Sequence, residues 1–396
     1  MYIQLTCWYA PSYGFGGPVR LMEDYAKWCI EAGIKVKILT GNVHHDYTRL
    51  PLNTSHPLKS FIYRFPVLGT SLAKRALFLL SPRFFYAVFK SVFTHEGTVY
   101  IHTFEYRGLV PLGVVIIKKL FAQKVVFVHS AFGTLHYKKS RIRELYDRIF
   151  LTDQIRALDI SLAQNNHEKA VYRDLLSSCD SKGVVHLVPL HLDISAKVGD
   201  CNYYKKISVD LRKRHELSQD NTIMLFLGRF HPEKGLYRVV DLLKSVSISG
   251  IDAVLLLVGR DYGFQHKIEY YISTLGLTSR VHIITDVTAE RFDYYRIADI
   301  FVGFPTIYEE TMLSAVEALS CGTPVLLSRE ADMPFVEEEN AGFVIDFDID
   351  LAKKRLMTII EKQKFYEANA LRVANTYYSP STIKEIFLNS LFFKKS

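Results

Sequence analysis

The sequence predicts an α/β chain of two Rossmann-like, doubly wound domains facing each other across a cleft. Three observations carry this. Apolar runs of strand length alternate with helical patterns, which marks βαβ units and a parallel sheet. The alternation stops in a polar, charged stretch after PLHLD (189–193), persists as linker and one basic helix to about residue 221, and then restarts. Glycine-rich or charged loops recur just beyond the strands, where open α/β sheets bind ligands.

In order, the first-half strands are YIQLTC (2–7), VKIL (36–39), FIYRF (61–65), TVYIH (98–102), KVVFVH (124–129), DISLAQ (159–164) and VVHLVP (184–189). Helical patterns such as 18–32 and 139–157 separate them. The second half contributes TIMLFLG (222–228), AVLLLVG (253–259), RVHII (280–284), DIFVGF (299–304) and PVLLS (324–328). The expected division is 1–195, joined by a C-terminal helix at about 378–396, and 196–377. At 396 residues the chain is long enough for two such cores.

Residues 298–328 hold the strongest chemical signal. Thr311 can cap a helix from about Met312 to Ser320, which Gly322 and Pro324 can end. The helix is apolar on nearly every side yet carries Glu317, with Glu309 eight positions earlier. A carboxylate in apolar surroundings needs a partner, from the protein or from a ligand. The backbone amides of Thr311, Met312 and Leu313 point out of the helix start, as a phosphate requires.

Three further loops follow strands. APSYGFGGPV (10–19) contains Gly14, Gly16 and Gly17, which let backbone approach a ligand, although GxGG falls short of the dinucleotide fingerprint. VFVHSAFG (126–133) ends a buried strand in His129. FLGRFHPEKG (226–235) places Arg229 and Lys234 at one strand-turn-helix junction, a suitable clamp for a diphosphate. Its KG order is not that of a Walker A loop.

Hydrophobic residues at 49% and charged ones at 23% are ordinary globular values. The five cysteines are widely spaced and never CxxC, which excludes a zinc knuckle or disulfide framework and suits a cytoplasmic setting. There is no signal-peptide layout at the N-terminus, and the apolar run 109–117 stops at Lys118-Lys119. Charge is uneven: residues 1–195 hold 24 Lys and Arg against 14 Asp and Glu, the remainder 25 against 27. A basic half invites an anionic partner. No recognition motif supports nucleic acid.

Taken together, GGPVRLMEDYAKWCIEAGIKVKILT, FLGRFHPEKG and ADIFV…P…YEE…VEALSCGTPV resemble the GT-B fold glycosyltransferases of the retaining family 4, over nearly the whole chain. The resemblance implies a retaining hexosyltransferase using a nucleotide-sugar donor, with a UDP-sugar expected, and a glycan or lipid-linked glycan acceptor. It implies that Arg229 and Lys234 hold the diphosphate, Glu317 the ribose and Glu309 the transferred sugar. Gly16 and Gly17 would close over the phosphates, and His129 would lie near the donor sugar. It implies no metal or other cofactor. The alternatives are a sugar-nucleotide epimerase of the same fold and a non-catalytic sugar-nucleotide-binding protein. The departure from the family is Glu310-Thr311-Met312, where Gly-Phe-Gly is usual.

Segment 71–93 mixes Lys74, Arg75, Arg83 and Lys90 with Phe and Leu around Pro82, which suggests a surface lying on anionic lipid at the inner face of the cell membrane. DFDID (346–350), which contains DxD twice, reads as turn and capping acids. His44-His45 has no matching ligand cluster.

Overall fold

The computed structural model describes residues 1–13, 17–44, 48–68, 79–80, 82–132, 135, 141–192, 209–285, 291–309 and 312–392. Its contacts divide the chain into two compact units: Met1–Val188 with Lys384–Ser396, and Pro189–Ile383.

Unit 1 contains β1 (Tyr2–Thr6), β2 (Val36–Gly41), β3 (Ile62–Phe65), β4 (Val67–Leu68), β5 (Leu79–Leu80), β6 (Val99–Thr103), β7 (Val125–His129), β8 (Ile160–Ala163) and β9 (Val184–Leu187). Seven of these form one parallel sheet in the order β3-β2-β1-β6-β7-β8-β9, and β4 and β5 pair separately as a short antiparallel ribbon. Helices pack on both faces, so every residue of β1 is buried. That is why its run reads as continuously apolar rather than alternating. The helix Pro380–Leu391 ends in unit 1, where Phe387 stacks on Tyr25 with centroids 4.2 Å apart and Lys384 pairs with Glu31.

Unit 2 contains β10 (Thr222–Leu227), β11 (Ala253–Val258), β12 (Val281–Ile284), β13 (Ile300–Gly303), β14 (Val325–Ser328) and β15 (Gly342–Ile345). They form one parallel sheet in the order β12-β11-β10-β13-β14-β15. β11 is buried at all six positions. The order reverses between β10 and β13, which makes the carboxyl ends of these two strands the switch point where doubly wound sheets take ligands. Both expected sheets are present. β15 is an additional strand, short and opened by a glycine, with little periodic signal of its own.

The predicted linker 193–208 lies outside the described residues, and residues 209–214 are helical. Asp348 caps the helix Ile349–Glu361 by accepting from the Leu351 amide at 2.8 Å, and Asp346 pairs with Arg329, so the DFDID acids serve turn and cap.

Candidate functional site

At the switch point of unit 2 the backbone is stitched tightly. After β10, Phe230 N–H donates to the Arg260 carbonyl at 2.9 Å. His231 then caps a single turn, Pro232–Lys234, which closes on Gly235. Gly235 has φ +70°, and a Cβ there would stand 1.7 Å from the Phe304 carbonyl oxygen at the end of β13. Only glycine allows that approach. Thr306 N–H donates to the Glu233 carbonyl at 2.9 Å, so a backbone bond ties the loops after β10 and β13 together.

This stitching sets Lys234 against Glu309. Nζ and Oε1 are 2.6 Å apart, with the two side chains 20% and 10% exposed. Glu309 is anchored in turn by its N–H donating to the Glu330 carbonyl at 2.8 Å. Arg229 is exposed, with its guanidinium 5.5 Å from the centroid of the Tyr262 ring. It carries no ion pair among the described residues.

The helix spans Leu313–Ser320, and Met312, not Thr311, is its capping residue, without a side-chain cap bond. A residue made buried by its own apolar side chain competes here with the expected threonine cap. Met312 is 3% exposed and packs against Gly303, so it can offer a ligand only its backbone. Leu313 is exposed at the first turn. The first amides of any helix lack an intrahelical acceptor, which leaves those at the start of Leu313–Ser320 facing outward. Thr311 and Gly16 lie outside the described residues. Gly17 opens the helix Gly17–Glu31 in unit 1.

Glu317 is buried, and both its oxygens have protein partners. Oε1 accepts from Arg291 Nε and Nη2 at 3.1 and 2.9 Å, and Oε2 accepts from the Tyr295 hydroxyl at 2.9 Å. Burial first, and then the charge of Glu317, push the Tyr295 phenol well above its usual range, so it remains a donor. Neither partner was expected from the sequence. Their spacing of four on the helix Arg291–Ile297 puts them on one face, which is the signal that could have found them.

In unit 1, His129 ends β7 fully buried. Its Nδ1 is 2.6 Å from the Tyr172 hydroxyl. That oxygen also accepts from the Ala131 N–H, and burial pushes the phenol well above its usual range. The tyrosine therefore donates to Nδ1, which assigns the imidazole proton to Nε2. Burial lowers the His129 pKa to about 4, so the ring is neutral near pH 7. Nε2 forms no well-aligned hydrogen bond, but the ring lies by the Glu105 carbonyl, which favours its protonated form and partly offsets the effect of burial. A neutral N–H at a strand end is a donor, not a base. Beside it, Glu105 Oε1 accepts from Cys7 N–H at 2.6 Å and Thr6 Oγ1 at 2.8 Å, tying the ends of β1 and β6 together.

With this geometry in place, the comparisons are informative. Residues 209–372 match the family model described as glycosyl transferases group 1. The matched segment contains Arg229, Lys234, Glu309 and Glu317. The lipopolysaccharide 1,2-N-acetylglucosaminetransferase of Salmonella typhimurium is 25% identical over 181 residues, 41% of this chain and 48% of the relative. The D-inositol 3-phosphate glycosyltransferase of Salinispora tropica is 25% identical over 283 residues, 66% of this chain and 58% of the relative. The chain thus spans about half the length of the curated relatives it matches. The crystal structure of Anabaena HepE in complex with UDP superposes with a TM-score of 0.69 at 15% identity, covering 98% of this chain and 99% of that one. The fold is GT-B.

Proposed function

We propose that this protein is a retaining glycosyltransferase that moves a hexose-type sugar from a nucleoside-diphosphate sugar, foremost a UDP-sugar, to a glycan or lipid-linked glycan acceptor. The observation that carries this is the Lys234–Glu309 pair, set beside a helix start at the switch point of unit 2, inside the group 1 match. The relatives' names and the UDP in the HepE crystal structure support the same reading.

The residues divide the work. Arg229, Lys234 and the first amides of Leu313–Ser320 hold the diphosphate, charge for charge. An arriving diphosphate competes with Glu309 for Lys234, and the released carboxylate takes hydroxyls of the sugar. Glu317 has about four lone-pair sites, three of them used by Arg291 and Tyr295, which leaves one for a ribose hydroxyl. The bond from the anomeric carbon to the diphosphate oxygen breaks with its electrons passing to the phosphate. The acceptor hydroxyl attacks from the same face and gives its proton to the departing oxygen. His129 donates its Nε2 proton in a hydrogen bond and abstracts nothing. Catalysis is then electrostatic stabilisation of the leaving group, without a metal, so transfer is expected to survive EDTA.

A thermal-shift panel of UDP-, GDP-, ADP- and dTDP-sugars tests the donor, since a ligand at 100 times its Kd stabilises by about 2.7 kcal/mol. One donor should raise Tm, and NMR of the product should show the donor's anomeric configuration. A panel with no shift would sink the reading, inversion would overturn retention, and release of free sugar from the donor would point to an epimerase.

No helix among the described residues is long and apolar enough to cross a membrane. We propose peripheral association through the helix Pro82–Thr94, which carries most of the described part of segment 71–93; residues 71–78 and Ser81 lie outside the described residues. One face packs inward through Phe84, Val88 and Val92. The other exposes Tyr86, Phe89 and Phe93, with Phe89 stacked on Phe93 and tilted against Phe121 at 5.5 Å. Exposed Arg83 and Lys90 flank these rings. Co-sedimentation with anionic vesicles should weaken clearly in Phe93→Glu, and wild-type protein that stays in the supernatant at low salt would remove the proposal.

A further inference from the structure

We propose that Arg64 and Tyr9 form an oxyanion pocket in unit 1, which receives a carboxylate or phosphate carried by the acceptor. That the anion belongs to an acceptor rests on the glycosyltransferase reading; that the pocket binds an oxyanion does not.

Arg64 lies in β3, in register with Thr40 of β2, which is in register with Thr6 of β1. These positions are near the carboxyl ends of the strands. The alternation of side chains puts Arg64 on the sheet face of Tyr2 and Gln4. Gln4 bonds the Met22 carbonyl at 2.8 Å, so this face looks toward the helix Gly17–Glu31. That helix starts beyond the end of β1 and has no acidic residue in its first turn.

The side chain of Arg64 is out of place for a bland strand cation. The residue is only 8% exposed. Nη2 donates to the Ala10 carbonyl, while Nη1 is buried with no partner. No carboxylate among the described residues stands within ion-pair distance. Glu23, the acid of this region, is engaged elsewhere: its Oε1 bonds His56 Nε2 at 2.6 Å and the Tyr13 hydroxyl at 3.2 Å. Next to Ala10, Tyr9 is fully buried and its hydroxyl also has no partner. Its ring stands edge-on to His56, with centroids 6.3 Å apart.

A buried guanidinium without a counter-ion and, on the residue preceding the carbonyl it bonds, a buried hydroxyl without a partner are a costly combination. Hydrophobic residues of similar volume would fill the same space at lower cost. The missing partner is an oxyanion: it accepts from Nη1 and the Tyr9 hydroxyl together and supplies the absent charge. A neutral sugar hydroxyl satisfies the hydrogen bonds but not the charge.

The test is thermal-shift titration with sodium phosphate, sodium glucuronate and the neutral control methyl glucoside. It is made in a Lys234→Ala background, which removes a principal phosphate contact of unit 2, and needs no turnover. Phosphate, glucuronate or both should raise Tm, and methyl glucoside should not. The response separates the two sources: phosphate alone indicates a phosphorylated acceptor, glucuronate alone an acidic sugar. Arg64→Met should weaken the effective anion by roughly tenfold or more. Tyr9→Phe removes an oxygen that makes no bond in the free protein, so it folds as before, and it should also weaken anion binding by several-fold. Equal anion responses in the Lys234→Ala protein with and without Tyr9→Phe, or no response to either anion, would overturn the proposal.

Discussion

Lys234→Ala is expected to lower kcat/KM for sugar transfer by about 10²–10³, the scale on which removal of one preorganised contact to developing charge is felt. Two losses combine. On the proposed reading, the departing diphosphate loses a partly buried cation. Glu309, 10% exposed and 2.6 Å from that cation in the wild type, keeps a carboxylate with its neutralising charge removed, and repels the same phosphates. Glu317→Gln should also lose most transfer, because a neutral amide would loosen the Arg291 and Tyr295 contacts that orient the group. Both variants should keep the far-ultraviolet circular dichroism of the wild type. Steady-state kinetics with the donor found by thermal shift decides the matter; near-normal kcat/KM in both variants would remove these residues from the site.

Gly235→Ala should be among the most destabilising single substitutions in the chain. The new methyl carbon would stand 1.7 Å from the Phe304 oxygen and 2.7 Å from its carbonyl carbon, both backbone atoms that no rotamer change can move. The left-handed φ of +70° adds strain of its own. A cost of about 3 kcal/mol or more follows, or roughly 6–12 °C in Tm for a unit of this size. Gly33→Ala is the control. Its φ is +74°, but a Cβ there meets nothing within 4 Å. Only the conformational strain remains, about 1–2 kcal/mol. Calorimetry that finds equal losses in the two variants would show that close approach at Phe304 is not what selects glycine.

Strands buried on both faces, such as β1 and β11, are legible as continuous apolar runs because burial acts on every position. β15 is not, since four residues beginning with glycine carry too short a pattern. The junction holding Arg229 and Lys234 is legible because strand, turn and helix are consecutive in the chain. Partners from distant elements are a different matter. Glu317 announces that it needs one, but nothing local says that Arg291 and Tyr295 supply it. Arg64 shows the converse: FIYRF reads only as a strand, and the absence of a counter-ion becomes visible only when the fold has buried it. The start of the helix Leu313–Ser320 was read one residue early because a threonine cap is the stronger local rule, whereas packing of Met312 against Gly303 decides it.

Unit 1 is assembled from two pieces of chain with all of unit 2 between them in sequence. On the ribosome, residues 1–188 emerge first but must wait for Lys384 and Phe387 before Glu31 and Tyr25 gain their partners. At about 5–20 residues per second the intervening segment takes roughly 10–40 s to synthesise. Throughout that interval Tyr25 and Trp28 lack the Phe387 ring that packs on them in the finished fold. The last contacts of unit 1 are thus made only after the whole of unit 2 has been synthesised.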